Sequence, residues 1–213
     1  KGNVFLLNNA IDIEKFQYNE KVRKEKRKEL NIKDNTLVIG HIGRFVAQKN
    51  HTFLIDIFHE VHKKNNDSIL ILVGQGPLMN EIKEKVDDLK LTKYVKFLGQ
   101  RADVNELYQA FDVFVLPSLY EGLGMVLIEA QCSGLSCIAS TEVPSIAKLT
   151  DNVSFIPLNQ SVDKWSEEIM KYKKIKRKNH IEIINIGGYN VDIEIQKMEK
   201  KYLSFLRTRK EDK

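Results

Sequence analysis

Short apolar runs alternate along most of the chain with longer segments in which apolar residues recur every third or fourth position. The runs "LVIGHIG" (37–43), "SILILVG" (68–74), "YVKFLG" (94–99), "DVFVLPS" (112–118), "LSCIAS" (135–140) and "NVSFIPL" (152–158) read as six strands. They are continuous in Val, Ile, Leu and Phe rather than alternating, as strands are when both faces of a sheet are covered. Between them, "NHTFLIDIFHEVHKKN" (50–65) places Phe53, Leu54, Ile57, Phe58 and Val61 on one helical face. "PLMNEIKEKVDDLK" (77–90) repeats Leu78, Ile82, Val86 and Leu89 behind a proline suited to a first turn. "ADVNELYQAF" (102–111) predicts a short helix with Asp103 as its cap. Strand and helix in repeated alternation predict an α/β fold with a doubly wound parallel, Rossmann-like sheet of about six strands. After Leu158 the pattern changes. "SVDKWSEEIMKYKK" (161–174) and "NVDIEIQKMEKKYLSFL" (190–206) are amphipathic helices with no strand between them, and "RTRKEDK" reads as a frayed end. The expected division is a linker over 1–18, a sheet domain over 19–160 and a helical extension over 161–213. The opening "KGNVFLLNNAID" lacks Met and has too short an apolar run for a signal peptide, so the chain reads as a domain of a longer protein.

Composition narrows the class. With 42% hydrophobic and 30% charged residues the chain has the balance of a soluble globular protein, and no apolar run approaches the ~18 residues of a membrane span. The net charge of +5 is concentrated in "EKVRKEKRKEL" (20–30) and "KYKKIKRKNH" (171–180), which read first as solvated helix faces. The other reading is attraction to an anionic lipid surface. Neither run alternates with aromatic residues as a base-stacking surface does, so no nucleic-acid partner is expected. Cys132 and Cys137 lack metal-ligand spacing and read as small buried hydrophobes in a reducing cytoplasm.

Ligands of a doubly wound sheet bind beyond the carboxyl ends of its strands. After the first strand comes "GRFVAQKN". Gly43 closes the strand, and Arg44 and Lys49 bracket the entry to a helix, where outward N–H groups and two cations make an anion site. The alternative pairs Arg44 with a local carboxylate and leaves Lys49 solvated. After the second strand, Gly74 and Gly76 begin a dinucleotide pattern that fails at its third glycine, where Met79 stands. The acid expected about 20 residues on is also missing, since Tyr94 and Val95 occupy that region. A tight strand-to-helix turn accounts for both glycines.

The fourth loop, "PSLYEGLGMVLIEAQCSG" (117–134), holds two carboxylates, Glu121 and Glu129. With a helix beginning near Gly124, eight helical residues span about 12 Å. That exceeds the roughly 5–9.5 Å of a glycosidase acid/base pair. The two therefore read as contacts to different parts of one long ligand. Gly122 and Gly124 leave the backbone open to it. The alternative makes Glu121 a helix-dipole partner and Glu129 a surface residue, but Glu129, set among Val126, Leu127, Ile128 and Ala130, needs a partner. A ribose, whose neighbouring hydroxyls it would accept from, fits that need.

The Glu121-x7-Glu129 spacing within "PSLYEGLGMVLIEA", together with "GRFVAQKN", resembles the retaining glycosyltransferases of the GT-B fold, in the large family-four group. The likeness runs from "NNAID" to "GGYNVDIEIQKMEKKY" and covers the C-terminal, nucleotide-sugar-binding half of such enzymes. The variants "GHIGRFVAQKNH" and "EAQCSGLSCIAS" look most like transferases of bacterial capsular or exopolysaccharide. The resemblance implies that Arg44 and Lys49, beside Gly43, hold the donor diphosphate. It sets Glu121 near the transferred sugar and the backbone of Gly122, Leu123, Gly124 and Met125 along sugar and phosphate. Glu129 would bind the ribose, and Gln100 and Arg101 would border the base. Three positions depart from the family's pattern: Leu123 for an aromatic, Ser136 for a proline, and Ala10 for a glycine in the linker.

The implied activity is glycosyl transfer from a nucleoside diphosphate sugar, a UDP-sugar foremost, with retention at the anomeric carbon. No Asp-x-Asp motif occurs, and no metal or other cofactor is expected. The acceptor, a glycan or lipid-linked sugar, would be held by an N-terminal domain. The expected location is the cytoplasm, with peripheral contact at the inner face of the membrane. The rival readings are a nicotinamide-dependent Rossmann enzyme and a non-catalytic nucleotide- or anion-binding module.

Overall fold

The computed structural model describes Phe5, residues 7–172, Arg177 and residues 179–211, the last seven of these as backbone only. Six parallel strands form one sheet: β1 (Leu37–Ile42), β2 (Ser68–Val73), β3 (Val95–Gly99), β4 (Val113–Leu116), β5 (Ser136–Ser140) and β6 (Val153–Ile156). Their order is β3-β2-β1-β4-β5-β6. The chain builds outward from β1 to β3, crosses back to β4 on the other side of β1, and builds outward again. The β1–β4 seam is therefore the topological switch point, where such sheets bind ligands. Ile39 pairs with Val113 and Gly40 with Phe114 across it.

The continuous apolar strands are explained by two cores, one on each face. Leu37 and Ile39 pack into one and Val38 and Ile42 into the other; Val113 and Val115 divide from Phe114 and Leu116 in the same way. On one face lie α3 (His51–Lys64), α4 (Met79–Asp88) and α7 (Val162–Met170). Leu54, Ile57, Phe58 and Val61 of α3 are fully buried there, and Phe53 meets Trp165 of α7 edge to face. The other face carries α5 (Val104–Ala110) and α6 (Met125–Cys132). A third cluster joins α6 to α1 (Ile13–Phe16) and to α8 (Ile181–Ile186) through Ile128, Cys132, Ile13 and Ile184. Ile11 bridges to the segment before α9 (Val191–Glu211): its N–H donates to Tyr189 O at 2.8 Å, and its carbonyl accepts from Val191 N at 3.0 Å. Both cysteines are free and buried, and burial pushes the Cys132 thiol up to about 12.

Several local expectations are corrected. Asp103 precedes α5 but makes no side-chain cap, because its carboxylate is taken by Arg101 and Lys26. The basic helix α2 (Glu20–Glu29) is not only a solvated face: Lys26 and Arg27 are buried. Arg23 donates to the carbonyls of Gln109 and Phe111 at 2.9 and 2.7 Å, and Arg27 to Ala110 O at 3.0 Å. Both share the Asp112 carboxylate. From the second basic run, Arg177 also donates to the carbonyls of Tyr108, Gln109 and Phe111. These guanidiniums satisfy the last carbonyls of α5, which have no partner within the helix. Residues 173–176 and 178 of that run lie outside the described residues. The helix α8, absent from the expected elements, occupies part of the span read as strandless, and α9 continues through Glu211 where a frayed end was expected.

Candidate functional site

β1 ends at Ile42, and the chain passes Gly43 and a single 3-10 turn, Ala47–Lys49, before entering α3. A Cβ on Gly43 would lie 3.2 Å from Lys49 Cδ, so the lysine stem crosses directly over this glycine. β4 ends at Leu116, and the neighbouring loop carries Ser118 and Glu121. Because β1 and β4 are adjacent, the two loops meet. Lys49 Nζ donates to Glu121 Oε1 at 2.6 Å, with the side chains only 14% and 6% exposed. Ser118 Oγ donates to the same oxygen at 2.6 Å, and its own carbonyl accepts from Ser140 Oγ at 2.5 Å. Gln48 reaches Tyr120 O at 3.0 Å through its side chain, while its carbonyl accepts from Leu119 N at 2.8 Å. Glu121 is thus a fixed, charge-paired carboxylate rather than a free one.

Arg44 is exposed and pairs with no carboxylate among the described residues. The two cations have exchanged the roles of the bland sequence reading, in which Arg44 was the paired one. Arg44 borders a groove of about 600 Å³ with Gly74, Gln75, Gly76, Pro77 and Gln100. The glycines of this loop are dictated by packing. A Cβ on Gly74 would come 2.1 Å from Gly43 O, and one on Gly76 would come 2.4 Å from Phe45 O. Gln100 lines the groove, but Arg101 is turned to Asp103 at 2.6 Å and Glu29 at 3.1 Å. Those bonds hold its guanidinium in the structural network around α2 and α5.

Past Glu121, Gly122 is open, with nothing within 4 Å of an added Cβ, and Gly124 takes the left-handed conformation (φ 79°) that starts α6. Leu123 and Met125 send their side chains to the third hydrophobic cluster. Neither α3 nor α6 has a side-chain cap, so the N–H groups of both helix starts face the crevice uncapped. Glu129, in the second turn of α6, is half-buried and its carboxyl is raised, chiefly by burial. The partner its apolar setting requires is Tyr108 of α5, whose hydroxyl lies 2.9 Å from Oε2.

Under the β1 loop sit two buried histidines. His41 Nδ1 lies 2.8 Å from Val115 O and so carries the proton, which leaves Nε2 as a bare acceptor. His51 stacks on Phe45 at 4.1 Å. Burial drives His41 down to about 4 and His51 to about 2, so both are neutral near pH 7. A second cavity of about 410 Å³ opens at the amino edge of the sheet beside Arg23, Asp112 and Arg177, whose charges are already engaged by backbone carbonyls and by one another. Among the described residues no cluster of His, Cys, Asp or Glu could hold a metal ion, and no helix is long and apolar enough to cross a membrane.

Sequence reasoning missed Ser118, Gln48, Tyr108, Gln75 and Pro77. Ser118 stood within the quoted loop motif; Tyr108 lay within a predicted helix, and nothing local marked its hydroxyl.

A doubly wound parallel sheet with loop-borne cations, a paired glutamate and a second glutamate near its switch point describes an α/β domain of the Rossmann-like class. Residues 22–185 match the family described as Glycosyl transferases group 1, and the chain belongs to that family. EpsF of Bacillus subtilis (strain 168) is 40% identical over 172 residues, covering 79% of this chain and 44% of that protein. The UDP-Gal:alpha-D-GlcNAc-diphosphoundecaprenol alpha-1,3-galactosyltransferase of Escherichia coli is 30% identical over 217 residues, covering 95% of this chain and 54% of that protein. The chain thus spans about half the length of these relatives. Among solved structures, Anabaena Alr3699/HepE in complex with UDP and glucose superposes with a TM-score of 0.77 at 22% identity, covering 93% of this chain and 56% of that one. The fold is the Rossmann-like sheet of GT-B glycosyltransferases.

Proposed function

We propose that the chain binds the nucleoside diphosphate sugar donor, foremost a UDP-sugar, of a retaining glycosyltransferase that builds bacterial surface polysaccharide. The observation that carries this reading is the meeting of the β1 and β4 loops in the Lys49–Glu121 pair, with exposed Arg44 on the same loop as Lys49 and open Gly122 next to Glu121. Arg44 and Lys49 take the diphosphate beside Gly43, and Glu121 takes the sugar. The backbone from Gly122 through Leu123 and Gly124 to Met125 runs along both. Glu129 accepts from the ribose, and the base lies in the groove beside Gln100. When the sugar–phosphate bond breaks, negative charge grows on the diphosphate. The two cations and the uncapped helix starts oppose it without a divalent metal, and one such preorganised donor contributes about 3–4 kcal/mol. The donor named for the Escherichia coli relative is UDP-Gal, and its acceptor is a diphosphoundecaprenol-linked sugar. Both support a UDP-sugar donor here, with a glycan or lipid-linked acceptor met at the cytoplasmic face of the membrane.

The test is calorimetry with UDP and with free pyrophosphate on Glu129→Gln. The substitution is expected to weaken UDP by about tenfold, the worth of a bond to a charged group, and pyrophosphate hardly at all. Equal losses would remove Glu129 from the ribose. A chain that binds a reduced nicotinamide nucleotide and ignores UDP would be a Rossmann enzyme of the rival class.

A further inference from the structure

Tyr108 is fully buried at the end of α5, and its hydroxyl stands between two acceptors: Glu129 Oε2 at 2.9 Å and Val126 O at 3.0 Å. A phenol carries one proton, so it donates to one of them at a time. An ionised carboxylate is the stronger acceptor and draws that proton to itself. Glu129 Oε1 receives no hydrogen bond from a described side chain. The ring cannot easily turn away, because it meets Phe111 and Phe114 edge to face, and the carbonyls that end its helix are held by Arg23, Arg27 and Arg177. The geometry points to Tyr108 as a positioning residue for the nucleoside site: its hydroxyl holds the Glu129 carboxylate turned through Oε2, leaving Oε1 to accept from a ribose hydroxyl. This rests on the reading of Glu129 as the ribose acceptor.

The surroundings give the bond its consequence. Burial raises the Glu129 carboxyl, and the Tyr108 hydroxyl is what opposes that rise. Among the described residues the other titratable groups nearby are the Cys132 thiol, one turn further along α6, the Cys137 thiol of β5 against Tyr108, and Arg177, whose guanidinium donates to Tyr108 O and Ser133 O. Asp12, at the head of α1, acts on Cys132. No described lysine or arginine acts on the Glu129 charge. Removing the hydroxyl therefore favours protonation of Glu129, and a protonated carboxyl has lost one of its acceptor oxygens.

The experiment compares UDP, 2′-deoxy-UDP and pyrophosphate binding to the 213-residue chain and to Tyr108→Phe, by calorimetry from pH 5.5 to 8. The unsubstituted chain is expected to prefer UDP over the deoxy form by about tenfold. In Tyr108→Phe the preference should fall to about twofold, with pyrophosphate unchanged. As the pH is lowered, what remains should fade at a higher pH than in the parent. A parent chain that discriminates, with a variant that discriminates equally at every pH, overturns this proposal alone. Equal loss of all three ligands also overturns it, since that is a packing defect. A parent chain indifferent to the 2′-hydroxyl sinks the ribose reading and this proposal with it. Should the variant not fold, the parent answers by NMR: the Tyr108 hydroxyl proton is expected to shift as Glu129 titrates, and an indifferent resonance refutes the bond's role.

Discussion

Arg44 and Lys49 share one loop but carry their charges differently. Lys49 is nearly buried against Glu121, which is 6% exposed and also holds Ser118. Removing one member of such a pair strands the other charge, at a cost of about 3 kcal/mol. Lys49→Ala is therefore expected to lower the urea midpoint as well as UDP affinity, and adding Glu121→Gln should recover part of the stability but none of the binding. Arg44→Ala, exposed and without a described carboxylate partner, should weaken UDP by about tenfold and leave the urea midpoint in place. A Lys49→Ala chain as stable as its parent would mean the ion pair is not formed in solution. Neither sequence reading paired Lys49; the distinction comes from a carboxylate 72 residues away.

At the scale of elements, β1 and α3 are coupled through His41 and His51, whose rings meet edge to face at 4.7 Å. Among the described residues neither His51 nitrogen has a hydrogen-bond partner, nor does His41 Nε2. Both imidazoles are depressed below their unfolded value of 6.5, to about 2 for His51 and about 4 for His41, first by burial. The unfolded chain thus binds protons that the folded chain refuses. Stability is full above pH 6.5 and drains away as the pH falls toward those folded values. By pH 5 the loss is about 2 kcal/mol for each histidine. His51→Phe keeps a ring against Phe45 and should reduce the loss between pH 7 and pH 5 by about that amount, measured by urea unfolding at both values. The difference between the two chains isolates the imidazole from Glu129, whose raised carboxyl works in the opposite direction. Identical pH slopes would show that His51 is hydrated or partnered in solution.

At the scale of the whole molecule, the crevice at the β1–β4 seam holds its proposed ligand from one side. The chain spans 44% of EpsF and 54% of the Escherichia coli relative. Binding through base, ribose and diphosphate is expected from these 213 residues, with the same affinity in magnesium and in chelator, since Arg44 and Lys49 supply the counter-charge. Transfer is not expected from them alone: holding an acceptor in line contributes about 7–11 kcal/mol of the barrier, and the elements described supply no second wall for it. Calorimetry with and without chelator tests the first expectation. Incubation with UDP-sugars and a membrane extract tests the second, and robust transfer by this chain would overturn the division of labour proposed.

The sheet and its main helices were legible because burial leaves a local periodic trace. Strands covered on both faces must be apolar at every position, as at 37–42 and 113–116, and a helix on one face must repeat every three to four residues, as α3 does. The loops at the strand ends were legible for the same reason: once the strands are placed, their carboxyl ends follow. What was not legible was which charge meets which. Lys26 and Arg27 looked solvated and Asp103 looked like a cap, because each was judged from its own segment. Lys26 meets Asp103 at a sequence separation of 77, and Arg27 meets Asp112 at a separation of 85. Strand order decides such meetings. Setting β4 beside β1 rather than beside β3 brings Glu121 to Lys49, and setting α5 against α6 brings Tyr108 to Glu129. Periodicity records only that a residue is buried; the identity of its neighbour is a property of the assembled sheet.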